Sequence, residues 1–147
     1  MRTELVALAL LIPSAARLPA QTLSVSGSPG PMTVSVATAG SQPLAVSDAT
    51  TTYSASALTS LLAKKITGQV NTNLPPGVTL TISLVAPSGA SSSNAVTLDT
   101  TPRDLVVNIT NAVPQSKAVT YTLSATVAAG TISSTSRTVT LTLVSYP

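Results

Sequence analysis

The sequence predicts an all-β protein, an antiparallel two-sheet sandwich of about seven to nine short strands. Three observations carry this. Aliphatic residues alternate with Thr and Ser in several stretches, the period of a half-buried strand. Gly- and Pro-rich clusters punctuate those stretches. Aromatic residues make up only 2% of the 147 residues, so a core must be built from Val, Leu, Ile and Ala, and Val suits a pleated surface.

The first 20 residues read differently from the rest. Arg2 precedes an unbroken apolar run, Leu5–Ile12, which is followed by Pro13, Ser14, Ala15 and Ala16 and then by Arg17-Leu18-Pro19-Ala20. A basic start, a short apolar stretch and small residues form the pattern of a secretory signal. The run is too short to span a bilayer, which takes about 20 apolar residues. Residues 1–20 are therefore expected to be removed after Ala20, with Ala16 as the alternative. The mature chain is expected to be secreted or displayed at a cell surface, with no membrane span.

The strands follow in order. Leu23–Val25 is a short alternating stretch ahead of the hinge-like Gly27-Ser28-Pro29-Gly30-Pro31. Residues 21–31 thus read as an N-terminal extension or first strand, and residues 32–147 as the sandwich domain. Met32–Ala37 and Thr51–Ala55 are weaker candidates. Ala57, Leu58, Leu61 and Leu62 recur at helical spacing behind Ser56, a suitable cap, and predict at most one short helix. Ile66–Asn71 is the next candidate. Val78–Ala86 is a clear strand, with Val78, Leu80, Ile82 and Leu84 on one face and Thr79, Thr81 and Ser83 on the other. Asn94–Leu98 and Leu105–Ile109 are weaker. Val119–Val127 is again clear, with Val119, Tyr121 and Leu123 on the apolar face. The last stretch sets Val139, Leu141 and Leu143 against Thr138, Thr140 and Thr142.

Composition excludes much chemistry. There is no Cys and no His, hence no disulfide, no ordinary zinc site and no Ser-His-Asp or Cys-His nucleophile. The expected protein is not an enzyme and carries no cofactor or metal. Charged residues make up 7% of the chain. Beyond residue 20 the bases are Lys64, Lys65, Arg103, Lys117 and Arg137, and the acids are Asp48, Asp99 and Asp104. Such thinly scattered bases, without interleaved aromatics, argue against nucleic-acid binding. Export without cysteine points to a bacterial source.

Individual candidates yield ordinary structural readings. Asp99 and Asp104 flank a loop whose expected role is structural, with Asp104 pairing Arg103 or Lys117. Asp48 reads as a turn residue. An internal Lys–Asn isopeptide bond would draw on Lys64, Lys65 or Lys117. Asn108-Ile109-Thr110 matches a glycosylation sequon that a Thr-rich bacterial chain produces by chance. The Thr rows read as solvent-facing strand residues. Carbohydrate binding is weakly supported, because Tyr53, Tyr121 and Tyr146 are the only rings and sugar sites favour stacked aromatics.

The C-terminus is the most informative stretch. Ser136-Arg137-Thr138-Val139-Thr140-Leu141-Thr142-Leu143-Val144-Ser145-Tyr146-Pro147 alternates almost to the chain end, with Tyr penultimate. It resembles the last strand of bacterial chaperone–usher pilins and of secreted proteins of the spore-coat-U type. The resemblance covers about a dozen residues here and the shorter Thr22–Ser26 near the start. It implies an incomplete immunoglobulin-like sandwich, completed by a strand from a neighbouring subunit. On that resemblance Thr22–Ser26 is the donated extension. The expected interaction residues are Leu23 and Val25 at one end and Val139, Leu141, Leu143 and Tyr146 at the other. The expected function is a non-catalytic structural subunit of a surface, matrix or filament, with copies of itself or related surface subunits as partners. The alternative is a monomeric adhesion module that holds a polysaccharide or a surface protein with loops Gly40–Ala49 or Gly89–Asn94.

Overall fold

The computed structural model describes residues 21–35, 38–57 and 62–147. The signal-like segment 1–20 and most of the helical candidate, residues 58–61, lie outside the described residues. Nine strands are present among the described residues: β1 (Thr22–Ser26), β2 (Val46–Ser56), β3 (Lys64–Val70), β4 (Val78–Leu84), β5 (Ser91–Ser92), β6 (Val96–Thr97), β7 (Arg103–Ile109), β8 (Lys117–Ala125) and β9 (Val139–Ser145). They form a front sheet, ordered β1-β2-β8-β4-β6, and a back sheet, ordered β5-β7-β3-β9. Every pairing is antiparallel. The protein is an all-β sandwich. After β2 the chain changes sheet at every connection, even-numbered strands lying in front and odd-numbered ones behind.

The alternation in the sequence explains the layers. Leu80, Ile82 and Leu84 on β4 and Val119 and Tyr121 on β8 turn inward and are buried. They meet Ile66, Val70, Leu105 and Ile109 of the back sheet in one core. Between them, β4 and β8 hold an unbroken register from Val78↔Ala125 to Leu84↔Val119. Their alternate residues form a hydroxyl-bearing outer face. One row crosses four strands, Ser47–Thr122–Thr81–Thr97, and Ser47 Oγ lies 2.8 Å from Thr122 Oγ1. These hydroxyls face outward, as the alternation predicts.

Several expectations need correction. Met32–Ala37 is not a strand: residues 31–35 belong to none, and 36–37 lie outside the described residues. Met32 still packs on the core, which is why its neighbourhood alternates like a strand. The strand predicted over Val119–Val127 stops at Ala125, and Val127–Ala129 forms a single 3-10 turn. Val127 is 61% exposed there, so it does not continue the apolar face. The strand predicted over Val78–Ala86 ends at Leu84. Asn94–Leu98 is a corner instead of a full strand: β5 belongs to the back sheet, β6 to the front, and Asn94 between them has φ +58°. Sandwich strands change sheets at such bends. Ala57, expected to start a helix, bridges Ala112 instead.

Candidate interaction surface

A two-sheet sandwich has four edge strands, here β1 and β6 in front and β5 and β9 behind. Edges expose unpaired backbone N–H and C=O groups. Two of them, β5 and β6, have two residues each and offer almost no ladder. The first strand has five residues and pairs fully with β2 of its own chain, from Thr22↔Ser56 to Ser26↔Thr52. Thr22–Ser26 is therefore not a free extension in this structure. Leu23 packs against the core, whereas Val25 is 49% exposed.

The longest edge is β9. It pairs with β3 over seven consecutive residues, Val70↔Val139 to Lys64↔Ser145, with no bulge. At its two ends Thr138 O accepts from Asn71 N (3.0 Å), and Tyr146 N donates to Ala63 O (2.8 Å). Backbone polar groups alternate sides along a strand, so the even-numbered residues direct theirs at β3. Val139, Leu141, Leu143 and Ser145 direct theirs away from it. Among the described residues no strand is hydrogen-bonded to that outer side. The strand contains no charge, no Pro and no Gly, so it lacks the devices that usually blunt an edge.

The side chains of β9 are anchored from within. Val139, Leu141 and Leu143 pack partly buried on the core, while Thr140 and Thr142 are exposed. Gly68 of β3 makes room for this packing. A Cβ there would lie 2.6 Å from Leu105 Cδ1 and 3.3 Å from Leu141 Cδ2. The start of β9 is pinned by Thr138 N to Asn71 Oδ1 (3.0 Å) and by Arg137 Nη2 to Asn73 O (3.2 Å). At its end Lys64 Nζ donates to Ser145 Oγ (2.9 Å), and Lys65 Nζ sits 5.9 Å from the centre of the Tyr146 ring.

The expected interaction residues thus divide between two edges on one flank. Leu23 and Val25 lie on β1 of the front sheet, Val139, Leu141 and Leu143 on β9 of the back sheet, and the two strands are in contact. Below that flank a groove of about 1080 Å³ separates segments 27–34 and 130–139 from Leu80, Tyr121 and Leu123 of the front sheet. Val139 is its only lining residue from β9. Thr51 Oγ1 and Arg137 Nε line it and are buried without a hydrogen-bond partner among the described residues.

Charged groups are engaged locally. Asp104 pairs with Lys65 (3.0 Å), not with the expected Arg103 or Lys117, because β3 and β7 are neighbours. Arg103 pairs with Asp99, four residues earlier. The Arg103 guanidinium and the Thr101 amide hold the Asp99 carboxyl below its ordinary range, and Asp99 raises Arg103 in return. Asp48 Oδ1 accepts from Thr50 N and Thr50 Oγ1, and its Oδ2 accepts from Gly30 N. The Thr50 hydroxyl is the main cause of its lowered pKa. Lys64 and Lys65 are partnered by Ser145 and Asp104 instead of an Asn, which is not the arrangement an isopeptide bond needs. Among the described residues no three His, Cys, Asp or Glu side chains cluster to hold a metal.

The fold defines a class, the antiparallel sandwich, here with one long edge that has no hydrogen-bonded neighbour among the described residues. No family model matches the chain, and no curated protein and no solved structure matches it either.

Proposed function

We propose that the chain is a non-catalytic structural subunit, exported from a bacterial cell and built into a surface layer, matrix or filament through its sheet edges. The observation that carries this is the outer edge of β9, seven residues long, uncharged and unblunted. Monomeric sandwiches guard such an edge with Lys, Pro or a bulge, because it templates pairing with another chain. The resemblance of residues 136–147 to a pilin-type last strand points the same way, since an incomplete immunoglobulin-like sandwich has its final strand at an open edge.

The alternative, a monomeric module that grips a polysaccharide or surface protein with its loops, draws less support. Several polar groups of those loops are already bonded within the chain. Asp48 is committed to Thr50 and Gly30, and Ser92 Oγ donates to Leu84 O and accepts from Asn94 N. Size exclusion with light scattering, followed by negative-stain microscopy, tests the proposal. Oligomers or filaments that grow with concentration support it. A monomer at every concentration, with saturable binding to a glycan or protein, replaces it with the alternative.

A further inference from the structure

The open edge also indicates its own partner. We infer that β9 pairs with β9 of a second copy, antiparallel and centred on Thr142. This inference rests on the structural-subunit reading above and gives it a geometry.

Register decides the match. A pairing that keeps the apolar faces of both sheets on one side must put odd-numbered residues opposite odd-numbered ones. Of the registers that do so, the one centred on Thr142 uses the whole strand. It sets Val139 against Ser145, Thr140 against Val144 and Leu141 against Leu143, with Thr142 meeting its own copy. The odd-numbered residues are those with outward N–H and C=O groups, so they form the hydrogen-bonded pairs. Thr142 then falls on a non-hydrogen-bonded pair, where the Cα atoms are about 4.5 Å apart.

The composition is self-complementary. On the core side Leu141 meets Leu143 at the centre and Val139 meets Ser145 at the ends, and outside β-branched residues meet each other, Thr140 with Val144 and Thr142 with its copy, pairs of a kind that stabilises a sheet. No charge on the strand opposes its copy. The nearest charges are Arg137, two residues before the strand and bonded to Asn73 O, and on β3 Lys65, which pairs with Asp104, and Lys64, which bonds Ser145. Pairing would join two back sheets into one continuous eight-stranded sheet. An edge of this length buries less than the roughly 1,200 Å² of a standard stable interface, so the association is weak and concentration-dependent.

The absence of cysteine from the chain makes a clean test. Thr142→Cys places one thiol from each copy across the symmetry axis, with the two Cα atoms at a separation within the roughly 4.4–6.8 Å that a disulfide bridges. Thr140→Cys is the control. Its two thiols would be about four residues apart along the strand, roughly 13 Å. Both positions are exposed. Under glutathione oxidation of the full chain, T142C is expected to form a covalent dimer several-fold faster than T140C, and only above the concentration at which the wild type associates. Thr142→Lys, which sets like charges opposite each other, is expected to move association to several-fold higher concentration without changing the melting of the monomer. If the wild type associates but T142C crosslinks no faster than T140C, the β9 pairing is wrong and another edge carries the assembly. If the wild type stays monomeric at every concentration and neither variant crosslinks, the subunit reading fails with it.

Discussion

Tyr53 shows how one residue serves both the core and the backbone of a neighbouring segment. It is buried to 1% exposure in the core, and its hydroxyl reaches out to donate to Val85 O at 2.7 Å. Tyr53→Phe keeps the ring and loses this bond, so a cost of about 1 kcal/mol is expected in urea unfolding at pH 7. Burial pushes the Tyr53 phenol up to about 12 and raises Tyr121 as well. A phenol whose pKa is raised in the folded state stabilises it below the unfolded value, about 10, and loses that contribution as pH rises through the folded value. Stability should therefore fall between about pH 10 and 12, and the fall should be shallower in Tyr53→Phe. Asp48 and Asp99 act with the opposite sign. Their lowered pKa values give a contribution present above the ordinary carboxylate range and lost as pH falls below it. Gly68 is the other decisive residue. Gly68→Ala forces the buried Leu105 and its neighbour Leu141 to yield, and overpacking of this kind costs about 1–3 kcal/mol. Thermal melts of Gly68→Ala would check this.

At the level of the strands, stability is expected to concentrate in the middle of the front sheet. Val119 of β8 is fully buried between β2 and β4, and Val119→Ala should cost about 2 kcal/mol in denaturant unfolding. Deleting Thr22–Ser26 removes an edge strand of which only Leu23 packs on the core. The strand signal in circular dichroism and a cooperative melt should survive that deletion, at a lower midpoint. The same contrast explains what could be read in advance. Strands β4, β8 and β9 bury one face against the core, so period two is written plainly in them. In β2 the register breaks between Asp48 and Thr51, where Asp48 folds back on Thr50. The alternation fails there, and only the half from Thr51 onward is legible. The short pair β5 and β6 is one segment bent at Asn94, too short on either side to show a period. Segment 31–35 alternates because Met32 and Val34 are half-buried while Thr33 and Ser35 are exposed, but no neighbouring strand accepts its backbone. The candidate site was half legible. Residues 139–143 announced a strand, but its position at an edge depends on pairing between β3 and β9 that local sequence does not encode.

The whole molecule combines a charge-poor surface, a core of aliphatic side chains around Tyr53 and Tyr121, and one long open edge. Such a chain gains little from ion pairs: Lys65–Asp104 and Arg103–Asp99 are both partly exposed, and exposed pairs contribute little. Its stability rests on burial and on the strand ladders. Export is part of the same account. Protein recovered from a secreting bacterial host is expected to begin at Gln21 on N-terminal sequencing, and an intact Met1 would argue against a cleaved signal. The most direct test of the account is residue-resolved amide exchange along β9 by NMR at low and high protein concentration. The account predicts that Thr140, Thr142 and Val144 are protected throughout, whereas Val139, Leu141, Leu143 and Ser145 exchange fast when dilute and slow down as concentration rises. Equal protection of both sets in dilute solution, or fast exchange of the odd-numbered set at every concentration, would contradict it.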